Sequence, residues 1–214
     1  MGVICCEHDH CGEPQNRPDD AAYRRVLWAV LALNAAMFTV EVAAGLAAGS
    51  ASLQADALDF FGDAANYGIS LFVVGMALRY RAMVAAAKGA SMGLFGLWVI
   101  GTIVWHALRG TVPEPLTMGA IGFVALAVNA ATFGLLYAFR GGDANMRSAW
   151  ICTRNDVLGN LAVLLAAAGV LGTGTGWPDL IVAAIMATLA LQGAWMVLRQ
   201  ASGELRLGGT QPAE

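Results

Sequence analysis

Six long apolar segments, separated from one another by short polar or charged stretches, constrain this chain more than any other feature of its sequence. Each has roughly the 20 residues that a helix needs to cross a hydrocarbon core about 30 Å thick. Because 58% of the residues are hydrophobic and only 13% are charged, little remains for a soluble domain. We therefore predict an all-α integral membrane protein with six transmembrane helices, near residues 26–48, 55–78, 84–108, 116–139, 148–171 and 178–199.

The cationic residues alternate from one predicted loop to the next. Arg24 and Arg25 precede the first segment, whereas the first break, GSASLQAD, carries no cation, the third only Arg109 and the fifth none. The second and fourth breaks and the end of the last segment are cationic again, through Arg79, Arg81, Lys88, Arg140, Arg147, Arg199 and Arg206. Positively charged loops stay in the cytoplasm, so we predict that both termini are cytoplasmic. The expected location is the plasma membrane, which is the inner membrane in a bacterium.

The sequence predicts three regions: a cytoplasmic arm (1–25), a transporter domain (26–200) and a polar tail (201–214) too short to bury a core of its own. The arm has neither a cationic start nor an apolar stretch, so it does not resemble a signal peptide. It concentrates soft and borderline metal ligands, namely Cys5, Cys6, His8, His10 and Cys11. We interpret this cluster as a labile site that captures metal in the cytoplasm; the alternative is incidental side chains in a flexible tail.

Acidic residues inside the apolar segments are the most informative, because a charge within the membrane is costly. They are Glu41, Asp56, Asp59, Asp63 and Asp156. Asp59 and Asp63 are four residues apart, so on a helix their carboxylates share one face and repel each other unless a cation or proton lies between them. Cys152 and Asp156 repeat this spacing. Two such pairs on facing helices supply four ligands, enough for a tetrahedral site for zinc or a similar ion.

Two of these candidates have simpler alternatives. Asp56 lies near the predicted start of its segment, where a carboxylate could cap the helix or reach the interface. A single cysteine such as Cys152 is more often a small buried hydrophobe, but its spacing from Asp156 favours a ligand. Arg154 points to the opposite side of its helix from this pair. It either reaches the cytoplasmic interface or pairs with an acid such as Glu41, and the sequence leaves both open.

Candidate accessory groups for the metal site are Asp56, Glu41 and Asn155. Nucleic acid is excluded as a partner, since the net charge is −3 and the cations are not clustered. A membrane-embedded metalloenzyme would need a general base beside an open metal position, and no motif such as His-Glu-x-x-His is present. A membrane-anchored metal sensor or binding subunit that uses the arm is the other alternative, but it leaves the buried acids unexplained.

The segments VEVAAGLAAGSASLQADALDFFGDAANY and NMRSAWICTRNDVLGN resemble the first-to-second helix region and the fifth helix of the cation diffusion facilitator family. The resemblance covers the whole membrane portion. The family's paired metal ligands fall on Asp59 and Asp63 and on Cys152 and Asp156. This chain has Cys152 where His or Asn is common, and a thiolate favours softer ions such as zinc or cadmium over manganese or magnesium.

The resemblance implies an efflux transporter for divalent transition metals, with Zn²⁺ or Cd²⁺ as the cargo and no catalytic cofactor. It also implies a six-helix homodimer that exchanges metal for protons by alternating access. Most members carry a cytoplasmic C-terminal domain, which we do not find after the last segment. We therefore expect any homodimer to form through the transmembrane helices. The expected partners are the metal ion, protons and membrane lipid.

Overall fold

The computed structural model of this chain describes residues 20–72, 78–137 and 144–208, apart from the side chains of residues 20, 21, 23, 78, 144–155, 207 and 208. The described residues form helices and no strand, which confirms the predicted all-helical class. The helices are α1 (Asp20–Ala48), α2 (Ala51–Phe72), α3 (Leu78–Arg109), α4 (Pro115–Tyr137), α5 (Ala144–Thr173) and α6 (Trp177–Gly208).

The outer surface of the bundle is apolar. Large side chains such as Leu108 (82% exposed), Leu165 (73%) and Trp195 (69%) project away from the protein. Patches of this kind on a protein in water mark interaction sites or aggregation-prone surfaces, whereas hydrocarbon solvates them well. Five of the six described helices are long and apolar enough to cross a membrane, and α2 is the helix that is not. The chain is therefore a multi-pass membrane protein.

Helix α2 has a more polar sequence because it lies inside the bundle. It packs against α1, α3, α5 and α6, and every residue from 51 to 58 is buried. Neighbouring helices therefore shield its polar side chains from lipid. This central position carries the acidic residues of α2 into the protein interior.

The break predicted between the first two segments is mostly helical, which corrects the sequence prediction. Helix α1 ends at Ala48 and α2 already begins at Ala51. Between them Gly49 has a φ of 65°, a left-handed conformation that glycine adopts without strain. The backbone N–H of Ser50 donates to the Gly45 carbonyl at 2.9 Å and closes the end of α1. The two helices are thus joined by a two-residue turn.

The start of α2 is capped by a carboxylate from a different helix. Asp179, in the first turn of α6, is fully buried. It accepts hydrogen bonds from the Ser50 hydroxyl (2.7 Å) and from the backbone N–H groups of Ala51 (2.8 Å) and Ser52 (3.0 Å). These N–H groups have no partner within their own helix. Asp179 therefore ties the start of α2 to the start of α6.

The turn before α4 is stabilised locally. Pro115 occupies the first helical position, where its missing N–H leaves no hydrogen bond unmade. The Glu114 carboxylate accepts hydrogen bonds from the backbone N–H groups of Leu116 and Thr117. The Thr117 side chain and then these N–H groups lower the pKa of Glu114, because they stabilise its ionised form. Glu114 is thus a charged cap at the start of α4.

Candidate metal site

The three aspartates of α2 lie along one side of the helix. Asp56, Asp59 and Asp63 are spaced by three and four residues, which on a helix places them in one row. Asp56 is fully buried and Asp63 is 7% exposed, while Asp59 is partly buried. Asp56 lies more than one turn inside α2 and is fully buried. Its carboxyl group therefore neither caps the helix nor reaches the membrane–water interface. The row therefore presents three carboxyl groups to the bundle interior.

The Asp63 end of this row contacts α5. The Asp63 and Asp156 carboxyl groups are in hydrogen-bond contact with each other. The Tyr67 hydroxyl, one turn further along α2, donates to Asp63 Oδ2 at 3.2 Å. Two carboxyl groups in contact must share a proton or a cation, since two bare carboxylates would repel each other. The structure thus brings together two residues that the sequence predicted on separate helices.

Asp59 faces α5 at a glycine. A methyl group on Gly159 would lie 3.6 Å from Asp59 Oδ2 and 3.8 Å from Asp56 Oδ1. The absent side chain therefore leaves these two carboxyl groups room against the α5 backbone. Asp59 and Asp56 consequently occupy the same α2–α5 interface as the contact between Asp63 and Asp156.

A second contact between carboxyl groups lies at the Asp56 end of the row. Glu41 of α1 and Asp56 are both fully buried, and their carboxyl groups contact each other. Among the described residues, no N–H group or hydroxyl donates to any of their four oxygens. The pair is therefore stable only when it shares a proton or another cation. The sequence indicated both residues as accessory groups but gave no signal that they touch.

The side chains of the remaining predicted metal-site residues lie outside the described part of the chain. Cys152 and Asn155 are part of α5, four residues and one residue before Asp156, but their side chains fall among those not described, as does that of Arg154. The arm residues Cys5, Cys6, His8, His10 and Cys11 also lie outside the described residues. Within the described residues, no three Cys, His, Asp or Glu side chains are grouped closely enough to hold a metal. The described acids therefore meet as pairs.

Lys88 corrects one sequence interpretation. The charge pattern places it among the loop cations, whereas it lies ten residues inside α3 and is only 9% exposed. Its ammonium group donates a hydrogen bond to Asn66 Oδ1 of α2. Its positive charge also acts on the Asp63 carboxyl group. Nothing near Lys88 in the sequence indicates this contact, because its partner is on another helix.

Taken together, the bundle is apolar outside and presents carboxyl groups from three helices, α1, α2 and α5, to its interior. Carboxyl groups buried at membrane depth are expensive unless they bind cations or protons. The fold and the site thus define a multi-pass membrane protein that handles cations.

The family follows from comparison with known proteins. A family model described as the cation efflux transmembrane domain matches residues 27–205. The chain therefore belongs to the cation efflux family, and the resemblance to the cation diffusion facilitators is confirmed. The family is one of transporters rather than enzymes.

Several curated relatives are similar over most of the chain. The zinc transporter ZitB of Escherichia coli (strain K12) is 29% identical over 216 residues, which cover 94% of this chain and 68% of ZitB. The metal cation efflux system protein CzcD of Cupriavidus metallidurans is 26% identical, covering 94% of this chain and 65% of CzcD. The cadmium, cobalt and zinc/H(+)-K(+) antiporter of Bacillus subtilis (strain 168) is 24% identical, with 85% and 63% covered. The chain thus spans about two thirds of the length of these relatives.

Proposed function

We propose that this protein exports a divalent transition metal ion, zinc or cadmium, from the cytoplasm in exchange for protons. The observation that carries the proposal is the contact between Asp63 of α2 and Asp156 of α5. A hydrogen-bonded carboxyl pair between two helices inside a membrane protein can exchange its shared proton for a metal ion. The names of the relatives, which include zinc, cadmium and H(+), support the same cargo and counter-ion.

The proposed transport site consists of Asp59, Asp63 and Asp156 with Cys152 as the fourth ligand. Three carboxylate oxygens and one thiolate suit the tetrahedral coordination of zinc. The helical backbone of α5 supports this assignment, since Cys152 precedes Asp156 by one turn and so shares its side of the helix. Tyr67 positions Asp63 through its hydroxyl group.

The exchange follows from the chemistry of these ligands. Carboxylates and thiolates bind metal only when deprotonated, so metal entry releases protons. Protons that reach the same groups from the other side of the membrane then displace the metal. With alternating access, a proton gradient directed into the cell is sufficient to drive metal out.

The membrane topology belongs to the same proposal. The packing of α2 against four other helices supports a sixth span despite its polar sequence. With six spans, both termini lie on the same side of the plasma membrane, which in this proposal is the cytoplasmic side. There the arm (1–25) captures metal and delivers it to the transporter domain (26–200). The tail (201–214) lies on the same side. The exposed apolar faces of the helices are available for a homodimer within the membrane.

The proposal can be tested in proteoliposomes that contain the purified protein and a pH-sensitive dye. We expect zinc and cadmium, more than manganese, to drive proton movement that the substitution Asp156→Ala abolishes. Glu204→Gln, which removes an acid from the exposed end of α6, is the matched control and should leave the flux intact. If the wild-type protein moves neither metal nor protons while its arm still binds metal, the transport proposal fails and a metal sensor takes its place.

A further inference from the structure

Lys88 is the only lysine in the sequence, and the other cationic side chains are arginines. It is 9% exposed within α3, a helix long and apolar enough to span the membrane. A lysine near the end of a span usually extends its ammonium group toward water. Lys88 instead donates to the side-chain oxygen of Asn66 on α2. The charge is therefore directed into the bundle.

The packing of α2 on α3 fixes where this charge lies. The two helices run antiparallel, since the Trp98 indole N–H donates to Gln54 Oε1 at 3.1 Å and a methyl group on Gly62 would lie 3.5 Å from Met92 Cε. Continued by one turn, this register places Asn66 opposite Lys88, in agreement with their hydrogen bond. Asn66 is three residues beyond Asp63, a shift of about 4.5 Å along the helix. Lys88 thus lies one turn from Asp63, toward the end of α2 at Phe72.

A hydrogen bond between α3 and α2 does not require a charged donor at position 88. Glutamine could donate to Asn66 without the desolvation that a buried ammonium suffers. The charge is instead explained by its neighbours, because it acts on Asp63, which contacts Asp156. An ammonium near a group of carboxylates is favourable when no other cation is there, and it repels a metal ion that arrives.

We propose that Lys88 is a tethered counter-charge for the metal site, a positioning residue that limits how tightly the transported ion is held. This inference rests on the proposed function. With Lys88 charged and Asp59, Asp63, Asp156 and Cys152 ionised, the five groups carry a net charge of −3, whereas the four ligands without Lys88 would carry −4. Without Lys88 the same site would attract the ion more strongly and release it more slowly. The ammonium therefore favours turnover at the expense of affinity.

The test is zinc flux into proteoliposomes, measured over a range of zinc concentrations for the full-length protein and three variants. Lys88→Gln keeps a donor for Asn66 but loses the charge, Lys88→Met loses both, and Lys88→Arg keeps the charge. We expect both neutral variants to lower KM at least roughly tenfold and to lower kcat as well, because a positive charge about one helical turn from a divalent ion in a protein interior repels that ion by at least this much. Arginine should restore KM to within about threefold of the wild type.

The outcomes separate the possible causes. A wild-type protein that moves no zinc overturns the proposed function itself. If the wild type transports zinc but the neutral variants keep its KM, transport stands and the counter-charge is refuted. A transport defect in Lys88→Met that Lys88→Gln lacks would show that Lys88 acts through its hydrogen bond with Asn66. That result also refutes the counter-charge. Loss of folding in both neutral variants, with Lys88→Arg intact, assigns the charge to the fold and overturns the inference.

Discussion

The capping of α2 by Asp179 gives a prediction whose size follows from the structure. Replacing Asp179 with alanine removes a buried acceptor from the Ser50 hydroxyl and from the N–H groups of Ala51 and Ser52. All four residues are fully buried, so water cannot easily replace the lost carboxylate. The first turn of α2 would then contain donors with no acceptor.

The expected loss of stability is about 3 to 5 kcal/mol. A hydrogen bond to a charged group contributes about 1.5–3 kcal/mol, and the three bonds share one carboxylate, so their contributions do not simply add. Part of the cap remains, because the Ser50 hydroxyl still accepts from the Leu53 N–H at 3.2 Å. At about 2–4 °C per kcal/mol for a chain of this size, the melting temperature should fall by at least about 6 °C.

Thermal unfolding of the detergent-solubilised protein, followed by tryptophan fluorescence, measures this change. Asp179→Asn keeps one acceptor oxygen and should lose less stability than alanine. Ser202→Ala is the matched control, since it removes an exposed hydrogen bond within α6 and should shift the melting temperature by less than about 1 °C. Equal melting temperatures for Asp179→Ala and the wild type would refute the argument that this cap secures α2.

Three further predictions concern stability and transport. Glu114→Gln should lower stability at neutral pH, and the difference should disappear as the pH falls below about 4, because the lowered pKa of Glu114 stabilises the folded protein only while the carboxylate is ionised; melting curves at both pH values test this. Gly45→Val should separate α1 from α2, since a Cβ there would lie 2.9 Å from Gln54 Cγ, and a melting temperature equal to that of the wild type would contradict it. Tyr67→Phe should raise the KM for zinc severalfold, as the hydroxyl no longer orients Asp63, and an unchanged KM would show that this bond is dispensable.

Most of the fold could be predicted because each helix corresponds to a segment whose own composition is apolar. The six apolar segments correspond in order to α1 to α6. The row of acids on α2 also follows from local spacing, and the expectation that α2 and α5 face each other there agrees with the contact between Asp63 and Asp156. Local patterns were sufficient wherever a residue's environment depends on its own helix.

The errors arose where a residue's environment depends on a distant part of the chain. The start of α2 was placed too late because its polar residues are satisfied by Asp179, more than a hundred positions away. The charge pattern places Lys88 at a loop, because nothing near it in the sequence shows that Asn66 lies opposite. The contact between Glu41 and Asp56 has the same origin, since it depends on how α1 packs on α2.

The most direct test of the central claim is the stoichiometry of cadmium binding, measured by equilibrium dialysis of the purified full-length chain. The five Cys and His ligands of the arm are first replaced by serine, so that only the transmembrane site remains. The account predicts one strongly bound cadmium ion per chain, and its loss on Asp63→Asn, which keeps the shape of the side chain but removes its charge. One tightly bound ion retained by the Asp63→Asn variant would contradict the account, because the metal would then bind elsewhere.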